Sequence, residues 1–359
     1  MSLAKRLLKV VKNNPHAASL ADSAFKSKSA VYQTSIPVIN TMLSGDMDGG
    51  VMSGITMVVG DSRCFKSGFC LANVKAFLDE KPEGVCIFFD SEFGSGGLFE
   101  SYGIDQDRVI HVPFANLEEL KFSIVQMLED VQQGEDVIIY IDSISQVASK
   151  KETEDAIDGK SVADMTRAKA MNSLFRIITP SLTLKNIPLF AINSFYADTS
   201  SLYAEPIIKG GKQVFLSADT ILMVTRSQDK DAEGLQGWNF NYTAMKSRFV
   251  KEKSKFTLNV RYDQGVNENS ALFDWAMQAG VVYSEKQGFY KVNMSGWDNE
   301  KSWRRSALEA DPQFFPALKA NPTLKKWVRD TYMLESKPLM QGEKEESIDE
   351  ATGEVLMED

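Results

Sequence analysis

Between residues 55 and 224, six short and mainly apolar runs recur, several of them separated by segments of helical length. They are Ile55 to Val59, Val85 to Phe89, Val109 to Val112, Val137 to Ile141, Pro188 to Ile192 and Ile221 to Val224. Segments such as Phe69 to Glu80, Leu117 to Gln132 and Val162 to Ile178 lie between them with amphipathic helical spacing. A strand that is apolar on both faces must be covered on both, and parallel neighbours need a crossover long enough to hold a helix. The rhythm therefore predicts an α/β fold with a mostly parallel sheet between helical layers. None of these runs approaches the roughly 20 apolar residues of a membrane span. No repeat of about 20–50 residues is visible, which argues against solenoids and propellers.

The flanks read differently. Leu3 to Val11 places apolar residues at helical spacing with lysines opposite, and Asn13-Asn14-Pro15 ends that helix. The first residues, Met1 to Arg6, have no long apolar stretch behind their charges, which argues against secretion. After residue 226 the pattern becomes strand alternation, as in Phe256 to Tyr262, and Ala271 to Glu335 carries four of the five tryptophans. These shifts predict a segment 1–30, a core 31–270, a small mixed or helical domain 271–336 and a tail 337–359 without apolar period, expected to be disordered. The chain carries a net charge of −9, of which Gly342 to Asp359 holds −7 through eight carboxylates and one lysine. A nearly neutral body with an acidic tail suits a polyanion binder whose tail is regulatory, and equally a protein whose tail only keeps it in solution. Three cysteines, Cys64, Cys70 and Cys86, are too few for a disulfide framework or a four-ligand zinc site, and they fit a reducing cytoplasm.

Three strand ends carry chemistry. The first run leads into Gly60-Asp61-Ser62-Arg63-Cys64-Phe65-Lys66-Ser67-Gly68 and then a helix. This is a phosphate-loop spacing, G-x-x-x-x-G-K-S/T, with Phe65 in place of the second glycine. A turn there aims backbone N–H groups at phosphates, Lys66 reaches the outer ones, Ser67 can bind Mg²⁺, and the helix points its positive end at the same anion. A polar turn with a surface lysine would match a bare Gly-x5-Lys-Ser as well. Asp142 ends the run Val137 to Ile141 at the edge where parallel sheets bind ligands, placed to hold Mg²⁺ or to cap a helix. Glu92 follows the run Val85 to Phe89 and can orient a water in line with a γ-phosphate, although one acid after a strand is often only solvated. The three elements in this order are a sharper signal than any one of them.

The same motifs resemble the RecA family of ATP-dependent recombinases, and most closely its UvsX-type subfamily of T-even-like bacteriophages. The likeness rests on Gly60 with Phe65-Lys66-Ser67, Phe89 to Gly94, Ile141-Asp142-Ser143, Ala148 to Ala156, Met165 to Lys169 and Val250 to Phe256. It covers roughly residues 1 to 335 and accounts for Phe65, since that subfamily lacks the second glycine. It implies a RecA-type P-loop ATPase core with an N-terminal polymerisation helix and a small C-terminal domain. It further implies that the neighbouring subunit completes each ATP site through Lys246 and Arg248, in the basic stretch Lys246 to Lys255, which could otherwise be a solvated strand edge. Leu98 stands where an aromatic often stacks on adenine, Tyr262 is implied near the base, and Ser194 replaces a glutamine or histidine that senses the γ-phosphate.

DNA contacts are implied at two loops. One runs from Glu152 to Val162 into a helix with Arg167, Lys169 and Arg176; the other, Ser194 to Gln213, holds Phe195, Tyr196 and Tyr203, then Lys209-Gly210-Gly211-Lys212. Aromatics give stacking surfaces, and glycines between lysines expose N–H groups to phosphate. The expected protein is a DNA-dependent ATPase using ATP and Mg²⁺. It would form a helical filament of its own copies on single-stranded DNA and exchange strands with homologous duplex DNA, in recombination, repair and replication. A phage single-strand-binding protein and a recombination mediator are implied as partners, no membrane is, and the expected location is the cytoplasm of an infected bacterium. A ring-forming motor of the replicative-helicase type and a nucleotide-gated single-strand-binding scaffold are the alternatives.

Overall fold

Residues 2–23, 30–94, 96–159, 166–196, 207–210, 212–232 and 234–334 are described by the structure, a computed structural model. Every expected apolar run is a strand. Among the described residues the central sheet has nine, in chain order β1 (Gly54–Gly60), β2 (Val85–Asp90), β3 (Val109–Pro113), β4 (Val137–Asp142), β5 (Pro188–Asn193), β6 (Thr220–Asp231), β7 (Gly234–Ser247), β8 (Lys255–Arg261) and β9 (Gly265–Val266). In space they run β9-β8-β7-β6-β1-β5-β4-β2-β3. From β6 to β3 all neighbours are parallel, and from β6 to β9 all are antiparallel. β6 and β7 extend well past the run Ile221 to Val224 because they outgrow their cover there. Beyond Val224 the residues of β6 are exposed or half-buried, so that half of the strand reads as polar.

β1 is buried along its whole length, and its side chains feed two apolar layers. Val58 joins Phe69, Phe77, Phe88, Tyr140 and Phe190 on one face, while Met57 and Val59 join Phe89, Ile139, Ile141 and Leu174 on the other. The helix Lys66–Glu80 supplies the first layer, and Leu117–Asp130 with Thr166–Leu184 supply the second. Each fully buried phenylalanine or leucine stabilises this arrangement by about 1.5–3 kcal/mol.

Two elements differ from the sequence reading. The helix expected to stop at Ile178 continues to Leu184 through Pro180, because buried Ile178 and Leu182 hold both sides of the missing hydrogen bond. The loop expected from Glu152 begins instead as the helix Lys150–Ile157. Ser149 and Glu152 form a reciprocal capping box, which satisfies N-terminal amides and starts a helix. The C-terminal region is mixed: helices Leu272–Gln278, Arg305–Glu309, Phe314–Ala320 and Pro322–Tyr332 around the hairpin Val282–Lys286/Phe289–Val292. Its Phe273, Trp275 and Val328 belong to the same apolar cluster as the first face of the sheet. The N-terminal helix Leu3–Val10 buries none of its residues. Among the described residues no helix is long and apolar enough to cross a membrane. Tyr203, Gly211 and the acidic tail lie outside the described residues.

Candidate active site

The C-terminal ends of β1, β4 and β2 open onto a cleft of about 560 Å³ lined by Gly60 to Arg63, Lys66, Ser67, Glu92, Asp142, Ser143 and Ser194, among others. The loop after β1 adopts the turn its spacing predicts, without the second glycine. Arg63 and Phe65 have φ of 62° and 56°, the left-handed region, which costs a non-glycine residue about 1–3 kcal/mol. Phe65 offsets that cost by stacking its ring on Phe240 at 4.9 Å and 22°. The same ring fills the space beside Gly68, where a Cβ would stand 2.3 Å from Phe65 Cε2. Gly60 is equally constrained, since a Cβ there would lie 2.7 Å from the Val224 carbonyl oxygen. Cys64 is buried beneath the loop.

Lys66 donates from Nζ to the Asp61 carbonyl at 2.6 Å, and burial lowers its pKa. Among the described residues its ammonium forms no ion pair with a carboxylate, which leaves it open to an anion such as a phosphate. Ser67 donates to Asp142 Oδ2 at 2.7 Å, and Tyr140 donates to the same oxygen at 2.6 Å. Burial raises the Asp142 pKa, while the Tyr140 and Ser67 hydrogen bonds oppose that rise. Two hard oxygens, a hydroxyl and a carboxylate, thus stand together at the strand ends, the donor type Mg²⁺ takes. Glu92 Oε1 accepts from Ser143 Oγ at 2.9 Å. The turn that carries Glu92 is pinned by Asp90, whose Oδ1 accepts the N–H groups of Glu92 and Phe93 at 2.9 and 3.0 Å. Sequence reasoning missed Tyr140, Ser143 and Asp90. The signal available was their place one or two residues from an expected strand end.

The far wall of the cleft is the base of the second loop. Phe195 and Lys209 line it, and Phe195-Tyr196 pair with Ile207-Ile208. Asn193 bridges the two ends by donating to the Lys209 carbonyl at 2.7 Å. Ser194 Oγ is buried at this wall with no hydrogen-bond partner among the described residues. Tyr196 is exposed, and Gly210 takes a φ of 103°, which glycine alone adopts freely. On the helix Thr166–Leu184, Lys169 and Arg176 are exposed and sit two turns apart on one face. Arg167 is bonded inward instead, where its Nε and Nη2 donate to the carbonyls of Val147, Ile144 and Ser145 at 2.8–3.1 Å.

The remaining expected residues lie outside the cleft. Leu98 is partly exposed on the helix Gly96–Ser101. Tyr262 is exposed and accepts from Trp238 Nε1 at 2.8 Å; Trp238 lies under the Arg226 guanidinium, which donates to the Arg63 carbonyl. Tyr262 is thereby tied to the phosphate loop through two side chains. Lys246 and Arg248 are at the other end of the strands, near the level of Met57 and Ile55 rather than Gly60. Lys246 Nζ donates to the carbonyls of Phe215, Leu216 and Ala218, which end the helix Lys212–Ser217, and burial lowers its pKa. Arg248 pairs with Asp219 at 3.0 Å. Strands rise about 3.3 Å per residue, and neither side chain is among those lining the cleft.

No family model matches the chain. It is 41% identical over 327 residues to the "Recombination and repair protein" of Enterobacteria phage T4, covering 89% of this chain and 83% of that protein. It is 24% identical over 245 residues to "Protein RecA" of Acinetobacter baylyi, covering 67% and 68% of the two chains. To "Protein RecA" of Bdellovibrio bacteriovorus it is 22% identical over 277 residues, covering 76% and 71%. With a P-loop on the central strand of a mostly parallel sheet and a phage recombination protein as a relative across nearly its whole length, the chain belongs to the RecA family of recombinases.

Proposed function

We propose that this protein is a DNA-stimulated ATPase whose copies assemble on single-stranded DNA as a helical filament and exchange strands with a homologous duplex. The observation that carries the proposal is the convergence of Lys66, Ser67, Asp142 and Glu92 on one cleft whose opposite wall is the base of the second loop. Nucleotide chemistry and a candidate DNA-contacting segment thus share a boundary, through Ser194, Phe195 and Lys209.

In this reading the loop amides and Lys66 bind the triphosphate, and Glu92 orients the attacking water, held by Ser143. Ser67 and Asp142 would hold Mg²⁺, which neutralises charge on the transferring phosphoryl group. Ser194 offers a hydroxyl toward the bound phosphate and carries its position into the second loop. Lys246 and Arg248 act on the adjacent copy's cleft, adding positive charge only when copies have docked. Lys169, Arg176, Tyr196 and Lys209 to Lys212 contact DNA, and Leu98 and Tyr262 flank the base. A phage single-strand-binding protein and a loading factor fit as partners of such a filament.

The deciding assay is joint-molecule formation between a single strand and a homologous duplex with ATP and Mg²⁺. Lys66→Ala is expected to abolish it together with nucleotide binding. Glu92→Gln is expected to keep ATP bound and slow hydrolysis by about 10²–10⁴. Joint molecules formed equally well by Lys66→Ala would refute the ATP-dependent reading.

A further inference from the structure

Beside the cleft, three rings stack across the sheet. His111 of β3 lies on Phe88 of β2 with centroids 5.3 Å apart and planes at 16°, and Phe88 lies on Tyr140 of β4 at 5.0 Å and 15°. The register pairs Phe88 with both, and two residues further on it pairs Asp90 with Asp142. Side chains two apart share a sheet face, so both carboxylates stand on the side of the stack. Each outer ring holds one of them. Tyr140 donates to Asp142 Oδ2 at 2.6 Å, and His111 Nε2 lies 3.2 Å from Asp90 Oδ2. A carboxylate only accepts, which places the hydrogen on Nε2.

Asp90 is 1% exposed, whereas His111 is 49% exposed on the last strand of the sheet. Among the described residues, His111 is the only side chain bonded to the Asp90 carboxylate, and the other Asp90 oxygen carries the amides of Glu92 and Phe93. The chain of bonds thus runs from the sheet edge through Asp90 to the backbone that aims Glu92. His111 itself does not line the cleft.

We propose that His111 is a positioning residue for ATP hydrolysis, fixing Glu92 through Asp90. The inference rests on Glu92 as the water-orienting group. Without the Nε2 donor, one oxygen of a buried carboxylate has no partner, Asp90 turns, and the Glu92 turn moves with it. Misplacing a reacting group by about 1 Å costs up to about 10²-fold in rate. The nucleotide-binding loop shares none of these bonds, so ATP affinity is untouched.

Two variants separate the donor from the stack. His111→Phe keeps a ring on Phe88 and removes the N–H; His111→Gln keeps an amide N–H and removes the ring. DNA-stimulated hydrolysis by full-length protein is expected to show kcat reduced about 10- to 100-fold in His111→Phe, with KM for ATP within about twofold, and largely regained in His111→Gln. In a Glu92→Gln background, His111→Phe is expected to add no further loss, since it acts through Glu92. A wild-type kcat for His111→Phe, a His111→Gln variant as slow as His111→Phe, or a full additional loss in the double variant would each overturn the proposal. If Glu92→Gln alone hydrolyses ATP at the wild-type rate, the Glu92 reading fails first, and that arm contains no change at residue 111.

Discussion

Phe65 shows how one residue can depart from a motif and leave its geometry intact. The position needs a left-handed backbone, and the ring that makes this costly also stacks on Phe240 and occupies the space beside Gly68. Gly68→Ala is therefore expected to destabilise the protein by about 1–3 kcal/mol, the usual range for overpacking, and to weaken nucleotide binding. Adding Phe65→Ala should recover part of that stability, read as the midpoint of urea unfolding; a double variant no better than Gly68→Ala would place the conflict elsewhere. Lys66 makes the opposite trade. Burial lowers its pKa, so the charged form is disfavoured in the fold until an anion arrives. Lys66→Met is expected to melt higher than wild type at pH 7 without nucleotide, while losing ATP binding. The sign follows from proton linkage: the cost is full below the folded-state pKa and fades as pH rises toward the ordinary lysine value of about 10.4. The melting gap should therefore narrow with rising pH, and a gap that widens would contradict the burial argument.

At the scale of elements, sequence legibility followed burial. The strands β1, β2, β4 and β5 are buried almost throughout, so their runs are almost wholly apolar and their ends fall within a residue of expectation. Asp142 and Glu92 fall at or just past two of these ends, and Lys66 and Ser67 open the helix that follows β1, so the pattern of runs located them. The outer half of β6 was not legible, because its residues face water and carry no period a buried strand would impose. Neither was the His111–Asp90 contact, which joins residues 21 apart that only sheet pairing brings together. Lys246 was legible as a basic residue, yet its seat on the last carbonyls of the helix Lys212–Ser217 is a tertiary fact. Lys246→Gln is expected to leave ATP binding by the monomer intact and to abolish DNA-stimulated hydrolysis. Mixed with Lys66→Ala, it should regain some activity, because each variant keeps the half-site the other lacks. Co-assembly without any regained turnover would count against a shared site.

For the whole molecule, charge is divided unevenly: −7 in Gly342 to Asp359 and −2 in the other residues. Charges carried on the same chain act at an effective concentration on the order of mM wherever their linker is flexible, enough to compete with loosely held duplex but not with a tightly held single strand. Removing residues 342–359 is expected to strengthen duplex binding more than single-strand binding. The difference should shrink as salt shortens the screening length, about 10 Å at 0.1 M. Equal duplex affinities for the full and shortened chains across a salt titration would leave the tail as a solubility device. The placement of Lys246 and Arg248 far from their own cleft has a numerical consequence of its own. A surface that gives at one end and receives at the other is head-to-tail, and copies joined that way form an open row unless the rotation closes. If Lys246 and Arg248 serve the neighbouring copy as proposed, the copy at one terminus of an open row donates its two cations but receives none, so complete catalytic centres number one fewer than copies. Turnover per copy should then climb with the length of the row and level off, whereas a closed ring would show no such deficit.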